Sequence, residues 1–231
     1  LVGAQGWTHN ILSSQPERSS EGYIWSRGVF GQDPDFTEAF KKADFITLHE
    51  YVGPQEPNTQ SQDSEYRILS ESVTDLEQRI RRFQELFPKP VFVTEYHVQY
   101  GVFGQANPEN RKHQHRLKSA LAIARMQHVF LRRQVDAACI YHLLDLASGP
   151  GGWLYYPTFR LIYDEIDRDT RERRQGVSVP YLALKLYNSR TPGRYVLPVS
   201  MPDLLPSLDV VALRKPNATL SLIVINASAS Q

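Results

Sequence analysis

The sequence has 231 residues, of which 41% are hydrophobic and 22% charged, and its 26 basic and 25 acidic side chains leave a net charge of +1. This composition is that of a globular protein, and it excludes a disordered chain and, with one cysteine, a disulfide scaffold. The balanced charge gives no overall field for nucleic acid, and no apolar run approaches the ~18 residues that a membrane span needs.

Short apolar runs predict four strands in the first part of the chain, at residues 1–4, 44–49, 91–94 and 137–141. Amphipathic segments between and after them predict helices at residues 36–42, 72–87, 107–133 and 180–187. Nearly continuous apolar strands that alternate with helices are typical of a parallel sheet covered by helices. We therefore predict an α/β domain over residues 1–192.

The pattern changes near residue 193. Strands at 194–199, 210–213 and 220–225 follow one another with only turns between them, and residues 215–218 predict a hairpin turn. Residues 193–231 are therefore predicted to begin an all-β module. Between the two parts, the alternating charges of residues 168–174 predict a solvated loop, and Cys139, in the middle of a strand, is expected to be buried.

Ionisable and aromatic residues follow three of the predicted strands. Glu95 follows the clearest strand, where a rigidly held carboxylate is suited to attack on a sugar carbon, although a loop cap or an arginine partner is an equally ordinary role. His49 and Tyr51 are two residues apart, so they face the same way in an extended chain while Glu50 faces the other way. If this face lines the site, the Tyr51 phenol can donate to Glu95.

His97 is two residues after Glu95 and is a candidate for the same pocket, while Tyr141 is a candidate for another wall. Trp153 offers a flat aromatic face on which a sugar ring can stack. For each of these residues, plain packing is the competing interpretation. His49, His97 and His142 can be imagined as a metal site, but they lack a tight ligand spacing, and we expect no metal and no cofactor.

These motifs resemble the two-glutamate clan of retaining (β/α)8 glycoside hydrolases, above all the α-L-arabinofuranosidase, β-xylosidase and β-glucuronidase families with a C-terminal β-sandwich. Residues 90–96, PVFVTEY, resemble the seventh barrel strand, which ends in the nucleophile. Residues 43–51, ADFITLHEY, resemble the sixth strand, whose His-x-Tyr lines the site. The resemblance implies the C-terminal half of a TIM barrel, strands 5–8, followed by part of a sandwich module.

The resemblance implies that Glu95 is the nucleophile, that His49, Tyr51, His97, Tyr141 and Trp153 contact a glycoside substrate, and that no cofactor is needed. Two departures qualify it. No Asn-Glu pair, the family's acid/base motif, occurs in residues 1–231, and Tyr141-His142 stands where the eighth strand often ends in tryptophan. We therefore expect a portion of a longer enzyme, inactive by itself because one carboxylate cannot complete double displacement.

Two other functions remain open: a non-catalytic carbohydrate-binding protein on a degenerate barrel, and a metal-dependent hydrolase that uses the histidines. An upstream Asn-Glu strand end or the metal content of the protein distinguishes them. Sequons at Asn217 and Asn226 together with the resemblance favour a secreted or periplasmic location. Nothing in the sequence indicates an oligomeric state.

Overall fold

A computed structural model describes residues 3–7, 41–53, 62–100, 116–143, 161–166, 173–191, 195–199 and 208–226. The chain forms two compact units, one of residues 1–51, 74–97 and 133–140 and the other of residues 52–73, 98–132 and 141–231. None of the helices in the described ranges has both the length and the apolar character of a membrane span.

Four strands form one sheet, in the order β1 (Gly3–Trp7), β2 (Phe45–Val52), β3 (Val91–Val98) and β4 (Ala137–Ile140). β1 is parallel to β2, and β3 is parallel to β4. β2 and β3 also run in the same direction, because Ile46 N donates to Pro90 O near their starts and Gln99 N donates to Val52 O at their ends. The predicted parallel sheet is confirmed.

Helices supply the crossovers that parallel strands require. α1 (Gln62–Leu86) connects β2 to β3, and α2 (Leu117–Arg132) lies between β3 and β4. α1 begins ten residues before the predicted start, in a polar segment where Arg67 donates to Glu71 one turn later at 2.9 Å. β2 and β3 also continue past their predicted ends, because ladder hydrogen bonds depend on the backbone and tolerate polar side chains.

The core of the first unit combines aliphatic strand residues with one face of α1. Its residues, each at most 1% exposed, are Ile46, Leu48, Leu76, Ile80, Phe83, Val91 and Val93. The start of β3 is fixed by a reciprocal pair, since Val91 N donates to Asp136 Oδ2 at 2.9 Å while Asp136 N donates to Val91 O. This pair holds the beginnings of β3 and β4 together.

The second unit contains α3 (Val179–Arg190), whose first turn is capped by Ser178, with Oγ accepting from Tyr181 N at 3.4 Å. α2 contacts α3, and it also contacts an antiparallel sheet of β7 (Tyr195–Leu197), β8 (Leu208–Arg214) and β9 (Leu220–Asn226). The predicted hairpin between β8 and β9 is confirmed. A second sheet that would complete a sandwich is not present among the described residues, and the boundary near residue 193 stays a prediction.

Two expectations are wrong. β5 (Ile162–Ile166) and β6 (Arg173–Val177) form an antiparallel hairpin, so Arg173 and Arg174 belong to a strand and not to a loop. Their alternating charges gave no hydrophobic period from which to recognise it. Cys139 is exposed rather than buried, because β4 is last in the described strand order and none of its four residues is buried.

Asp209 on β8 contacts three basic side chains of α2. Arg125 Nε and Arg132 Nη1 donate to it at 3.2 and 2.7 Å, and His128 Nδ1 lies 2.8 Å from Oδ1. Positions 125, 128 and 132 lie on one helix face. Burial alone would raise the pKa of Asp209, but its hydrogen bond to His128 and the charges of His128 and Arg132 outweigh burial and hold that pKa well below 3.8.

The first prediction concerns this cluster. Asp209→Asn should lower the free energy of unfolding by about 3 kcal/mol at pH 7, because it leaves the buried His128 and the partly accessible Arg125 and Arg132 without their charge partner. A depressed carboxyl pKa stabilises the fold above the unfolded value and loses this effect as pH falls toward the folded value. Urea denaturation of both proteins at pH 7 and pH 3 should therefore show a smaller difference at pH 3. A difference that does not change with pH would contradict the assignment.

The second prediction concerns Gly53, which follows β2 with φ +145°. A Cβ at this position would overlap the carbonyl oxygen of Gln99. Gly53→Ala should therefore cost more than about 1 kcal/mol in urea denaturation. Ala218 is the control, because it has φ +66° in the β8–β9 turn, where glycine is favoured. Ala218→Gly should therefore raise the free energy of unfolding or leave it unchanged. Equal effects of the two substitutions would argue against this account.

Candidate active site

Two polar side chains of β2 approach one carboxylate oxygen of Glu95 on β3. Tyr51 Oη donates to Glu95 Oε2 at 2.8 Å. His49 Nδ1 lies 3.4 Å from the same oxygen. Neighbouring parallel strands bring these residues together near their carboxyl ends, and the hydrogen bond predicted from strand spacing is confirmed.

The alternation of β2 explains this arrangement. His49 and Tyr51 face Glu95, while Glu50 between them points the opposite way, as predicted. Glu50 is completely buried and accepts a hydrogen bond from Arg79 Nη2 of α1 at 3.1 Å. The face opposite the site therefore meets a helix.

The carboxylate is more accessible to solvent than the two side chains that contact it. The Glu95 side chain is 31% accessible and that of His49 is 12% accessible, whereas Tyr51 is buried. Glu95 is thus open on one side and held on the other by enclosed groups. A carboxylate in this position can reach a substrate while its orientation is fixed through Oε2.

The charge state of His49 follows from two opposing effects. Burial lowers the pKa of His49 and outweighs the negative charge of Glu95, which raises it, so that the pKa lies below 6.5. The imidazole is therefore mostly neutral at pH 7. At 3.4 Å it stands just outside ordinary hydrogen-bond distance, so Tyr51 makes the stronger contact with Glu95.

The remaining predicted site residues have different settings. His97 is 1% exposed, and the register of β3 shifts between Val93 and Tyr96, so simple alternation does not carry over from Glu95 to His97. Tyr141 is half-buried, with its ring edge-on to His142 at a centroid distance of 4.6 Å. Trp153 lies outside the described residues. The sugar-binding roles of all three stay predictions.

The metal-dependent alternative requires several ligand side chains to be grouped together. In the part of the chain that the structure describes, no three histidine, cysteine, aspartate or glutamate side chains are grouped to hold a metal ion. His49, His97 and His142 all lie within this part.

Sequence reasoning did not identify Arg79. It lies on the apolar face of α1 beside Leu76, Ile80 and Phe83, and it is 9% exposed. An arginine at the apolar positions of a helix is the signal that would have found it, since a buried charge requires a partner. The partner, Glu50, is distant in sequence and lies on β2.

Comparison with solved structures identifies the fold. The GH51 arabinofuranosidase from Xanthomonas axonopodis pv. citri matches 99% of this chain with a TM-score of 0.63 and 15% identity. A family 51 α-L-arabinofuranosidase from Bifidobacterium longum matches 99% with a TM-score of 0.60 and 16% identity. The α-L-arabinofuranosidase from Thermotoga maritima, solved with arabinose, matches 97% with a TM-score of 0.57 and 16% identity.

At these identities the likeness establishes the fold alone, which is that of the (β/α)8 glycoside hydrolases. The chain spans less than half of each solved structure, between 42% and 45%. No protein-family model matches the sequence, and no curated protein matches it.

The third prediction concerns the coupling of His49 to Glu95. Glu95→Gln should lower the pKa of His49 further, because it removes the charge that opposes the effect of burial. NMR titration of the histidine imidazoles measures this pKa directly, with the His49 signal assigned by its loss in His49→Gln.

Glu77→Gln is the matched control. Glu77 pairs with Arg133 at 3.1 Å, so this variant removes a carboxylate from an ion pair elsewhere in the same unit and should leave the His49 pKa unchanged. A His49 pKa that stays constant or rises in Glu95→Gln would show that the two side chains are not in contact in solution.

Proposed function

We propose that the protein containing this chain is a retaining glycoside hydrolase whose nucleophile is Glu95. The observation that carries the proposal is the 2.8 Å hydrogen bond from Tyr51 to Glu95 at the carboxyl ends of two neighbouring parallel strands. In (β/α)8 enzymes this edge of the barrel carries the catalytic groups. The likeness of the fold to family 51 arabinofuranosidases supports the same choice.

The proposed reaction has two displacements. Glu95 attacks the anomeric carbon, the bond to the leaving oxygen breaks, and that oxygen takes a proton from a carboxylic acid whose carboxyl group lies about 5–5.5 Å from that of Glu95. The same acid, now a base, removes a proton from water, which attacks the anomeric carbon and releases Glu95. Because residues 1–231 contain no Asn-Glu pair, we assign this acid/base to a residue outside the chain.

Tyr51 and His49 have separate roles in this proposal. The Tyr51 phenol fixes Oε2, so the carboxylate keeps one orientation toward the anomeric carbon. His49, which is partly accessible beside it, contacts the sugar in this proposal, and the sugar contacts of His97, Tyr141 and Trp153 stay predictions. The names of the matched enzymes make an α-L-arabinofuranoside the first substrate to test.

The fourth prediction is that Glu95 can be trapped covalently. The protein that contains this chain is treated with a 2,4-dinitrophenyl 2-deoxy-2-fluoro-α-L-arabinofuranoside, whose leaving group departs without protonation and whose fluorine slows release of the ester. Peptide mass spectrometry should find one fluorosugar on Glu95. Hydrolysis of an aryl arabinofuranoside should fall at least ~10³-fold in Glu95→Gln.

Glu77→Gln again serves as the control and should retain both labelling and hydrolysis. The isolated 231-residue chain should not hydrolyse an ordinary aryl glycoside, because the proposal assigns the proton donor to a residue outside it. An adduct on another carboxylate, or hydrolysis that survives Glu95→Gln, would overturn the assignment. Sugar binding without any adduct would instead indicate the non-catalytic alternative.

A further inference from the structure

The face of β2 that meets α1 carries one charge in an otherwise apolar row. Ile46, Leu48 and Glu50 alternate along this face, and each is 0% exposed. On α1, Arg79 likewise stands among aliphatic and aromatic residues that are at most 1% exposed, namely Leu76, Ile80 and Phe83. Each element thus places a single charged side chain into an apolar interface, and the two charges meet at 3.1 Å.

Stability alone does not account for this pair. Removing a carboxylate and a guanidinium from water is costly, and well-packed apolar residues of similar volume are often as stabilising or more so. An aliphatic side chain at position 50 would continue the row of Ile46 and Leu48. A charge-assisted hydrogen bond differs from aliphatic packing in being directional, so it fixes orientation as well as contact.

Glu50 lies between the two residues of β2 that contact Glu95. A rotation of this strand end, or a slip by one residue, would turn Glu50 toward the site and His49 and Tyr51 toward the helix. Such a change would break the ion pair between Glu50 and Arg79, and separating two charges that are paired in a buried interface is costly. The pair therefore selects the one orientation in which His49 and Tyr51 face the carboxylate.

We propose that Glu50 and Arg79 are positioning residues, whose ion pair holds the end of β2 so that Tyr51 and His49 stay in contact with Glu95. The consequence for catalysis rests on the proposed function of Glu95. The contacts that depend on the pair are the 2.8 Å hydrogen bond of Tyr51 and the 3.4 Å approach of His49. A displacement of about 1 Å would break the first, since hydrogen bonds weaken beyond about 3.2 Å.

The test measures the electrostatic coupling between His49 and Glu95. In the protein that contains this chain, the fall in the His49 pKa caused by Glu95→Gln is determined by NMR in four backgrounds: unchanged, Arg79→Met, Arg79→Lys and Glu77→Gln. Thermal unfolding of each variant is recorded in parallel. Within each background, comparing the proteins with and without the Glu95→Gln substitution cancels the direct effect of the charge removed at position 79.

We expect Arg79→Met to reduce the fall by about half or more, because the Coulomb interaction weakens as the two side chains separate. Arg79→Lys keeps the positive charge, so the fall in the His49 pKa should be larger than in Arg79→Met and smaller than in the unchanged background. Glu77→Gln should leave the fall in the His49 pKa unchanged even if the melting temperature drops, because Glu77 lies on the same helix as Arg79 but forms its ion pair with Arg133.

A full-sized fall in Arg79→Met, together with a lower melting temperature, would show that the pair is only structural and would overturn the proposal. If Arg79→Met does not fold, Arg79→Lys decides: a reduced fall supports the proposal and an unchanged one overturns it. Failure of the proposed function is recognised separately, by a fluorosugar adduct that does not form on Glu95 while the His49–Glu95 coupling is intact.

Discussion

The site depends on one hydrogen bond between adjacent strands, from the Tyr51 phenol to the Glu95 carboxylate at 2.8 Å. Neither residue can form it alone, because the contact requires β2 and β3 to be neighbours, parallel and in the right register. The backbone bonds at both ends of this strand pair meet that requirement, from Pro90–Ile46 at the start to Val52–Gln99 at the end. The sheet therefore does the positioning that a flexible loop could not do, and the carboxylate remains open to solvent on its other side.

Charged groups in this chain serve two distinct purposes. Asp209 and its basic partners on α2 join a helix to a strand of the second unit, and the low carboxyl pKa reflects how well this charge is compensated. Glu95 has a different environment, with an enclosed phenol, a mostly neutral histidine and partial exposure. Structural charges are compensated by opposite charges, whereas the candidate nucleophile is held mainly by a neutral donor, the Tyr51 phenol.

The parts of the structure that sequence reasoning predicted are those that depend on short-range periodicity. The two-residue repeat of β2 placed His49 and Tyr51 on one face and Glu50 on the other, and the apolar run before Glu95 located β3. Features that depend on contacts distant in sequence were not predicted. Arg79 meets Glu50 across 29 positions, and Asp209 meets His128 across 81. The β5–β6 hairpin was missed because its charges have no apolar period, and the exposure of Cys139 depends on the place of β4 in the sheet.

The close approach of Gly53 to Gln99 has a bearing on how this scaffold can be altered. Both residues stand directly after the strands that carry Tyr51 and Glu95, and the lack of a side chain at Gly53 lets the two backbones touch there. After these two residues the chain continues into residues 54–61 and 101–115. Libraries that vary the length or composition of those two segments can therefore start beyond Gly53 and Gln99, which keeps the backbone contact between these two residues.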